Sequence, residues 1–326
     1  MRTLRLGRTD IELSAIGLGC WQFGKGVGAT GLFWQPIGQR EIDAVVAAAL
    51  AGGISWFDTA EAYGGGASEQ ALAAALKANG RAPGTVRIAT KWMPILRRAR
   101  SIGTTIGRRL ECLAPYPIDL HQVHQPWSLS SVAAQMRGMA EILREGKIRA
   151  VGVSNFPAAM MREAHAALER EGISLASNQV RFNLLDRRIE SSGVLEEARR
   201  LGVSIISYSP LAQGMLTGRF HDDPGAVAKL RAPRRLMNRI NPSELRRIAP
   251  LIDVLRSIGG AHGASICQVA LNWTVSFHGD SVLAIPGATR PPQAAESAAA
   301  LGFVLSRDEL DRIDDASRRA AMPVKG

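Results

Sequence analysis

The chain has 326 residues, 46% of them hydrophobic, and a formal charge of +11. This is enough apolar material for one large core, and no stretch approaches the ~20 apolar residues of a membrane span. The cationic side chains are scattered over helix-like segments at Arg199, Arg200, Arg246, Arg247, Arg318 and Arg319 with no aromatic platform between them, which reads as solvated surface with a weak pull on small anions and argues against nucleic acid.

The N-terminal run MRTLRLGRTDIELSAIGLG alternates polar and apolar residues around Thr9 and Asp10, the pattern of a short hairpin rather than a signal peptide. Eight strand candidates follow: AIGLG, ISWFDTA, VRIATKW, IDLHQVH, IRAVGVSN, LASNQVRF, VSIISYSP and SVLAIPGA. Alanine-rich helical stretches separate them, so the pattern predicts a parallel sheet closed as a (β/α)8 TIM barrel, with an N-terminal β-hairpin and extra C-terminal helices, as one domain over 1–326. Gly52, Gly146 and Gly202 fall where helix C-termini favour left-handed residues. Long connections at 20–37, 93–100 and 212–242 are expected on the catalytic rim as lids or pocket walls. Gly26, Gly28 and Gly31 match GxGxxG, but no buried strand precedes them, so they read as a loop. Cys20, Cys112 and Cys267 form no CxxC pair, which argues against a disulfide framework and for a cytoplasmic protein.

Asp58, Tyr63, Lys91 and His124 fall at the ends of three successive predicted strands. Singly, each is more often a cap or a packing residue. Together they form a general-acid device that needs no metal: the Tyr63 hydroxyl donates a proton and the Lys91 ammonium favours the phenolate left behind. Asp58 balances the buried cation, and His124 holds a substrate oxygen.

These runs, with GVSNF, SPLAQGMLTG and IPGATRPPQAAES, resemble the aldo-keto reductase family over nearly the whole chain. They are nearer its bacterial and potassium-channel β-subunit-like branch than the aldose reductase branch. The resemblance implies a catalytic tetrad of Asp58, Tyr63, Lys91 and His124, with Tyr63 as the acid, and an extended nicotinamide cofactor. Ser154, Asn155 and Gln179 are implied to hold the carboxamide, and Tyr208 to stack on the ring. Ser209, Pro210, Leu211, Gln213 and Gly214 would follow the pyrophosphate. Gly287, Ala288, Thr289, Arg290, Gln293, Glu296 and Ser297 would enclose the adenosine phosphate, beside a helix opened by Pro291 and Pro292. Arg219 and Arg231 would clamp the phosphates, and Cys20, Trp21 and Asp58 complete the cofactor-contacting set.

Thr289 and Ser297 depart from the basic residue and the Asn usual at those places, which leaves NADH open, while the arginines favour NADPH. Trp21, Trp92, His124 and Trp127 are expected to shape an apolar pocket for an aldehyde or ketone. Two alternatives stay open: a sugar or polyol dehydrogenase working in the oxidative direction, and a cofactor-binding regulatory sensor with slow turnover. Nothing in the sequence sets the oligomeric state, for which a monomer is the default.

Overall fold

The computed structural model describes residues 2–26, 31, 35–237 and 240–321; of the GxGxxG match, Gly28 lies outside them. Two short strands, β1 (Thr3–Arg5) and β2 (Glu12–Ser14), pair antiparallel as the hairpin. Thr9 closes its turn by donating its hydroxyl to the Leu6 carbonyl at 2.7 Å.

Eight parallel strands follow: β3 (Leu18–Gly19), β4 (Trp56–Asp58), β5 (Arg87–Trp92), β6 (Ile118–Val123), β7 (Ile148–Ser154), β8 (Leu175–Arg181), β9 (Ser204–Tyr208) and β10 (Val282–Ile285). They pair in sequence order, and parallel bridges from Ile16 to Ala284 and from Gly19 to Gly287 bring the last strand back to the first. Each predicted strand appears within two or three residues of its expected bounds. These strands are almost entirely buried, with polar side chains such as Asp58, Lys91, Gln122 and Gln179 set among apolar ones, and amphipathic helices cover the outside. In the first helix, α1 (Gln39–Ala51), Ile42, Val45, Val46 and Ala49 are the buried residues.

Two local expectations change. Gly52 is right-handed at φ −79°, and Gly53 takes the left-handed position at φ +86°. Gly52 is a place of close approach instead, because a Cβ there would lie 2.2 Å from the Ala298 Cβ. The 212–242 connection contains short helical turns at Arg219–Asp222, Pro224–Ala226 and Ala232–Met237. Asn155, directly after β7, is left-handed at φ +61°, a strained conformation for a residue with a side chain. Among the described residues no helix is long and apolar enough to cross a membrane.

Candidate active site

Strand register explains the polar cluster at the barrel mouth. Asp58 is level with Ala89, and Lys91 is level with Gln122. Side chains alternate faces along a strand, so Ala89 and Lys91 share the barrel interior and Lys91 stands one layer above Asp58. The Lys91 ammonium is fully buried, ion-paired with Asp58 and donating to the Thr59 carbonyl at 2.8 Å. The other Asp58 oxygen accepts from Gln122 at 3.2 Å and from Gln179 at 2.8 Å. Burial is the largest single influence and pulls Lys91 toward neutrality, but the charges and hydrogen bonds of Asp58 and Tyr63 together outweigh it and hold the amine above its usual pKa.

Tyr63 lies on the turn after β4, with its hydroxyl 3.4 Å from the Lys91 nitrogen. His124, the first residue after β6, packs its ring edge-on against the Tyr63 ring at 5.6 Å. Desolvation raises the Tyr63 pKa and the nearby Lys91 only partly offsets this. Lys91 is therefore not the dominant influence on the phenol: in the folded site burial is the larger effect, and the phenol stays protonated well past neutrality. Burial and then the Lys91 charge push His124 well below its usual value. Its Nδ1 is buried without a hydrogen-bond partner, so the neutral ring has capacity left for a ligand.

These groups open into a cavity of about 1460 Å³ that runs across the rim. Cys20, Trp21, Asp58, Ser154, Asn155, Gln179 and Tyr208 line its inner end. Tyr208 donates to the Asn155 side-chain oxygen at 3.0 Å, and Ser154 donates to the Gln179 carbonyl at 2.8 Å. Ser209, Pro210, Leu211, Gln213, Gly214 and Arg219 form one wall of the outer end, and Gly287, Thr289, Arg290, Gln293, Glu296 and Ser297 the other. Ser209 and Gln213 are left-handed at φ +50° and +59°, so strained backbone gathers along this wall. The proline-led helix is present as Pro291–Ala298, and Ala288 is buried behind the wall.

Three further expected positions fall elsewhere. Arg231 donates to the Gly31 carbonyl at 2.8 Å and to Gln35 at 3.1 Å, away from the cavity lining, whereas Arg234 one helical turn on lines it. Trp92 is 1% exposed, donates to Ser101 at 3.0 Å and packs under the Arg97 guanidinium; it is a core residue. Trp127 is 66% exposed and outside the cavity lining. Ala62, Met93 and Gln125 line the cavity together with Trp21 and His124.

Sequence reasoning missed Gln22 as well as Arg234. Gln22 is buried and lines the cavity, and its Oε1 has no donor. It packs so closely that a Cβ on Gly287 would lie 2.2 Å from its amide nitrogen. Arg234 donates to the Gln213 carbonyl at 2.8 Å, and burial followed by the neighbouring Arg219 charge lowers its pKa to about 10. Arg219 and Arg234 both line the cavity, which favours an anionic ligand there, and the orphan Gln22 oxygen calls for a donor. An elongated ligand with phosphates at one end and hydroxyl or amide donors nearer Tyr63 meets both needs. Among the described residues no group of three or more His, Cys, Asp or Glu is arranged to hold a metal ion.

A model of the Aldo/keto reductase family matches residues 15–318. An uncharacterized oxidoreductase of Mycobacterium tuberculosis is 37% identical over 311 residues, spanning 94% of this chain and 90% of its own length. Among solved structures, a glycerol dehydrogenase from Gluconobacter oxydans superposes with a TM-score of 0.80 at 27% identity, covering 99% of this chain and 97% of that one. An aldo-keto reductase from Klebsiella pneumoniae in complex with NADPH gives 0.74 at 25% identity, covering 100% and 97%.

Proposed function

The chain belongs to the aldo/keto reductase family, and from that premise we propose that it reduces an aldehyde or ketone to an alcohol with NADPH, Tyr63 supplying the proton. The observation that carries this reading is the Tyr63 hydroxyl, protonated at neutral pH and 3.4 Å from a lysine kept charged by Asp58. A carbonyl oxygen placed between Tyr63 and His124 meets an acid and a neutral imidazole. As negative charge grows on that oxygen, the Tyr63 proton moves to it, and the Lys91 ammonium stabilises the phenolate. Asp58 keeps the ammonium in place, because an unpaired cation at zero exposure would give up its proton.

Bound reduced nicotinamide supplies the hydride. Tyr208, Asn155, Ser154 and Gln179 are placed to hold its ring end, and Arg219, Arg234 and Arg290 its phosphates. The Klebsiella pneumoniae neighbour in complex with NADPH supports the phosphorylated form, as do the three arginines against a wall that lacks a base at Thr289. The glycerol dehydrogenase neighbour supports a second reading, alcohol oxidation through the same residues, with the Tyr63 phenolate accepting the proton.

Initial rates for a panel of aldehydes and polyols, in both directions and with both cofactors, test the proposal. Faster NADPH-dependent reduction supports it, faster polyol oxidation favours the second reading, and no turnover in either direction sinks both.

A further inference from the structure

A second buried charged cluster lies on the opposite side of β5 from the catalytic lysine. Because strand side chains alternate, Thr90 points away from the interior that Lys91 enters. Its hydroxyl donates to the Glu69 carboxylate at 2.6 Å. The other Glu69 oxygen is 2.8 Å from the Arg109 guanidinium. Glu69 comes from the first turn of the helix Ala67–Ala78, and Arg109 from the helix Ser101–Leu113. Glu69, Thr90 and Arg109 are 0%, 0% and 5% exposed, and none of them lines the cavity.

We propose that the Glu69–Arg109 pair, linked to β5 through Thr90, is a positioning clamp that sets the Tyr63 hydroxyl against Lys91. The inference rests on Tyr63 being the acid of the proposed reaction. A buried ion pair gains little stability over apolar residues of the same shape, because desolvation cancels most of the attraction, so stability alone is a poor reason for its presence. Geometry supplies a better one. Tyr63 is followed by Gly64, Gly65 and Gly66 at φ +71°, +65° and +102°, a run without side chains to anchor it. On its leading side the turn is held by Glu61, which accepts from the Met93 amide at 2.5 Å. On its trailing side the Tyr63 carbonyl accepts from the Ser68 amide at 3.1 Å, and the next residue is Glu69.

Ser68 is itself pinned, donating to the Cys20 carbonyl at 2.7 Å. The clamp therefore joins the end of the Tyr63 turn to the residue before Lys91. Gly66 presses against it: a Cβ there would be 3.1 Å from the Cys112 sulfur and 3.4 Å from Arg109. His121, level with Thr90 in β6, completes the surroundings; burial and then Arg109 lower its pKa to about 3, so it adds no competing charge.

The test uses Glu69→Leu/Arg109→Met and Thr90→Val. The double variant removes the Arg109 cation together with the Glu69 carboxyl, whose pKa is raised by burial to about 7 against the pull of Arg109, and leaves no buried charge uncompensated; Thr90→Val cuts only the link to β5. Both are compared by thermal melting, NADPH dissociation constant, kcat and KM. The Tyr63 phenol is followed by 13Cζ resonance in tyrosine-labelled protein, assigned by its loss in Tyr63→Phe; the chain has only three tyrosines. Expected in whichever variant folds is a kcat at least about tenfold lower, with NADPH affinity and KM within about twofold. Phenolate formation should move to higher pH as Lys91 is lost as a neighbour, and Thr90→Ser, which restores the hydroxyl, should reverse the change. A folded variant with kcat within threefold of the parent and an unmoved phenol titration overturns the clamp. The resonance needs no substrate, so it decides the question even if carbonyl turnover is not found.

Discussion

At the Tyr63 end of the cavity, the catalytic candidates come from three adjacent strands or the turns that leave them, and they already touch one another. Lys91 reaches Asp58 and Tyr63, and Gln122 and Gln179 reach Asp58. At the Arg219 end, the wall is assembled from two segments far apart in sequence, 209–234 and 287–297. Its lining carries the guanidinium groups of Arg219, Arg234 and Arg290 and the carboxylate of Glu296. Arg234 feels the like charge of Arg219. The first end is preorganised for proton transfer, whereas the second carries a surplus of cations suited to an anionic ligand.

Substitutions at the inner end should therefore alter turnover and leave binding intact. Tyr63→Phe is expected to lower kcat by about 10²–10⁴-fold while the NADPH dissociation constant stays within about twofold; retained activity would remove Tyr63 as the acid. Lys91→Met should lower kcat by roughly 10²-fold by depriving the phenolate of its cation. It also leaves Asp58 buried without its ion-pair partner, at a cost of about 3–5 kcal/mol, so the melting temperature should drop by roughly 10 °C. A large kcat loss with an unchanged melting curve would show that the ion pair contributes little to the fold.

The outer end should respond in the opposite way. Arg234→Ala is expected to weaken NADPH binding by about ten- to a hundredfold through loss of a charge-assisted pair worth ~1.5–3 kcal/mol, with kcat at saturating cofactor little changed. Arg290→Ala should weaken NADPH more than NADH, and Arg231→Ala should do neither. Tryptophan-fluorescence titrations at two salt concentrations check all three, since a phosphate contact weakens as salt rises. If Arg231→Ala had the larger effect, the cavity wall would have been assigned to the wrong arginine.

The pH profile sharpens the contrast at smaller amplitude. Tyr63 must be protonated to act, and its pKa is raised by burial. Reduction should hold through neutral pH and fall only on the alkaline side. His124 is held well below its usual value, so no loss of activity is expected as pH drops through about 6.5; a bell-shaped profile centred there would contradict a neutral His124. The smallest effect belongs to Trp127→Ala, expected to change kcat/KM for small aldehydes by less than about threefold, because that ring lies outside the cavity lining.

Sequence by itself determined the barrel and the inner end. Eight apolar runs with interposed helical stretches admit few architectures, and the spacing of Asp58, Lys91 and His124 along three of those runs carried them to neighbouring strand ends. Local periodicity suffices there because a strand's register fixes which side chains enter the barrel. Tertiary structure decided the rest. Arg234 rather than Arg231 lines the cavity because the long connection folds into short helical turns whose facing depends on what they pack against. Trp92 is core because an alternating strand sends it to the side opposite Lys91. The place of Gln22 in the cavity lining, and the ion pair of Glu69 with Arg109 beside Thr90, depend on contacts between segments that no local pattern relates, and only packing brings those segments together.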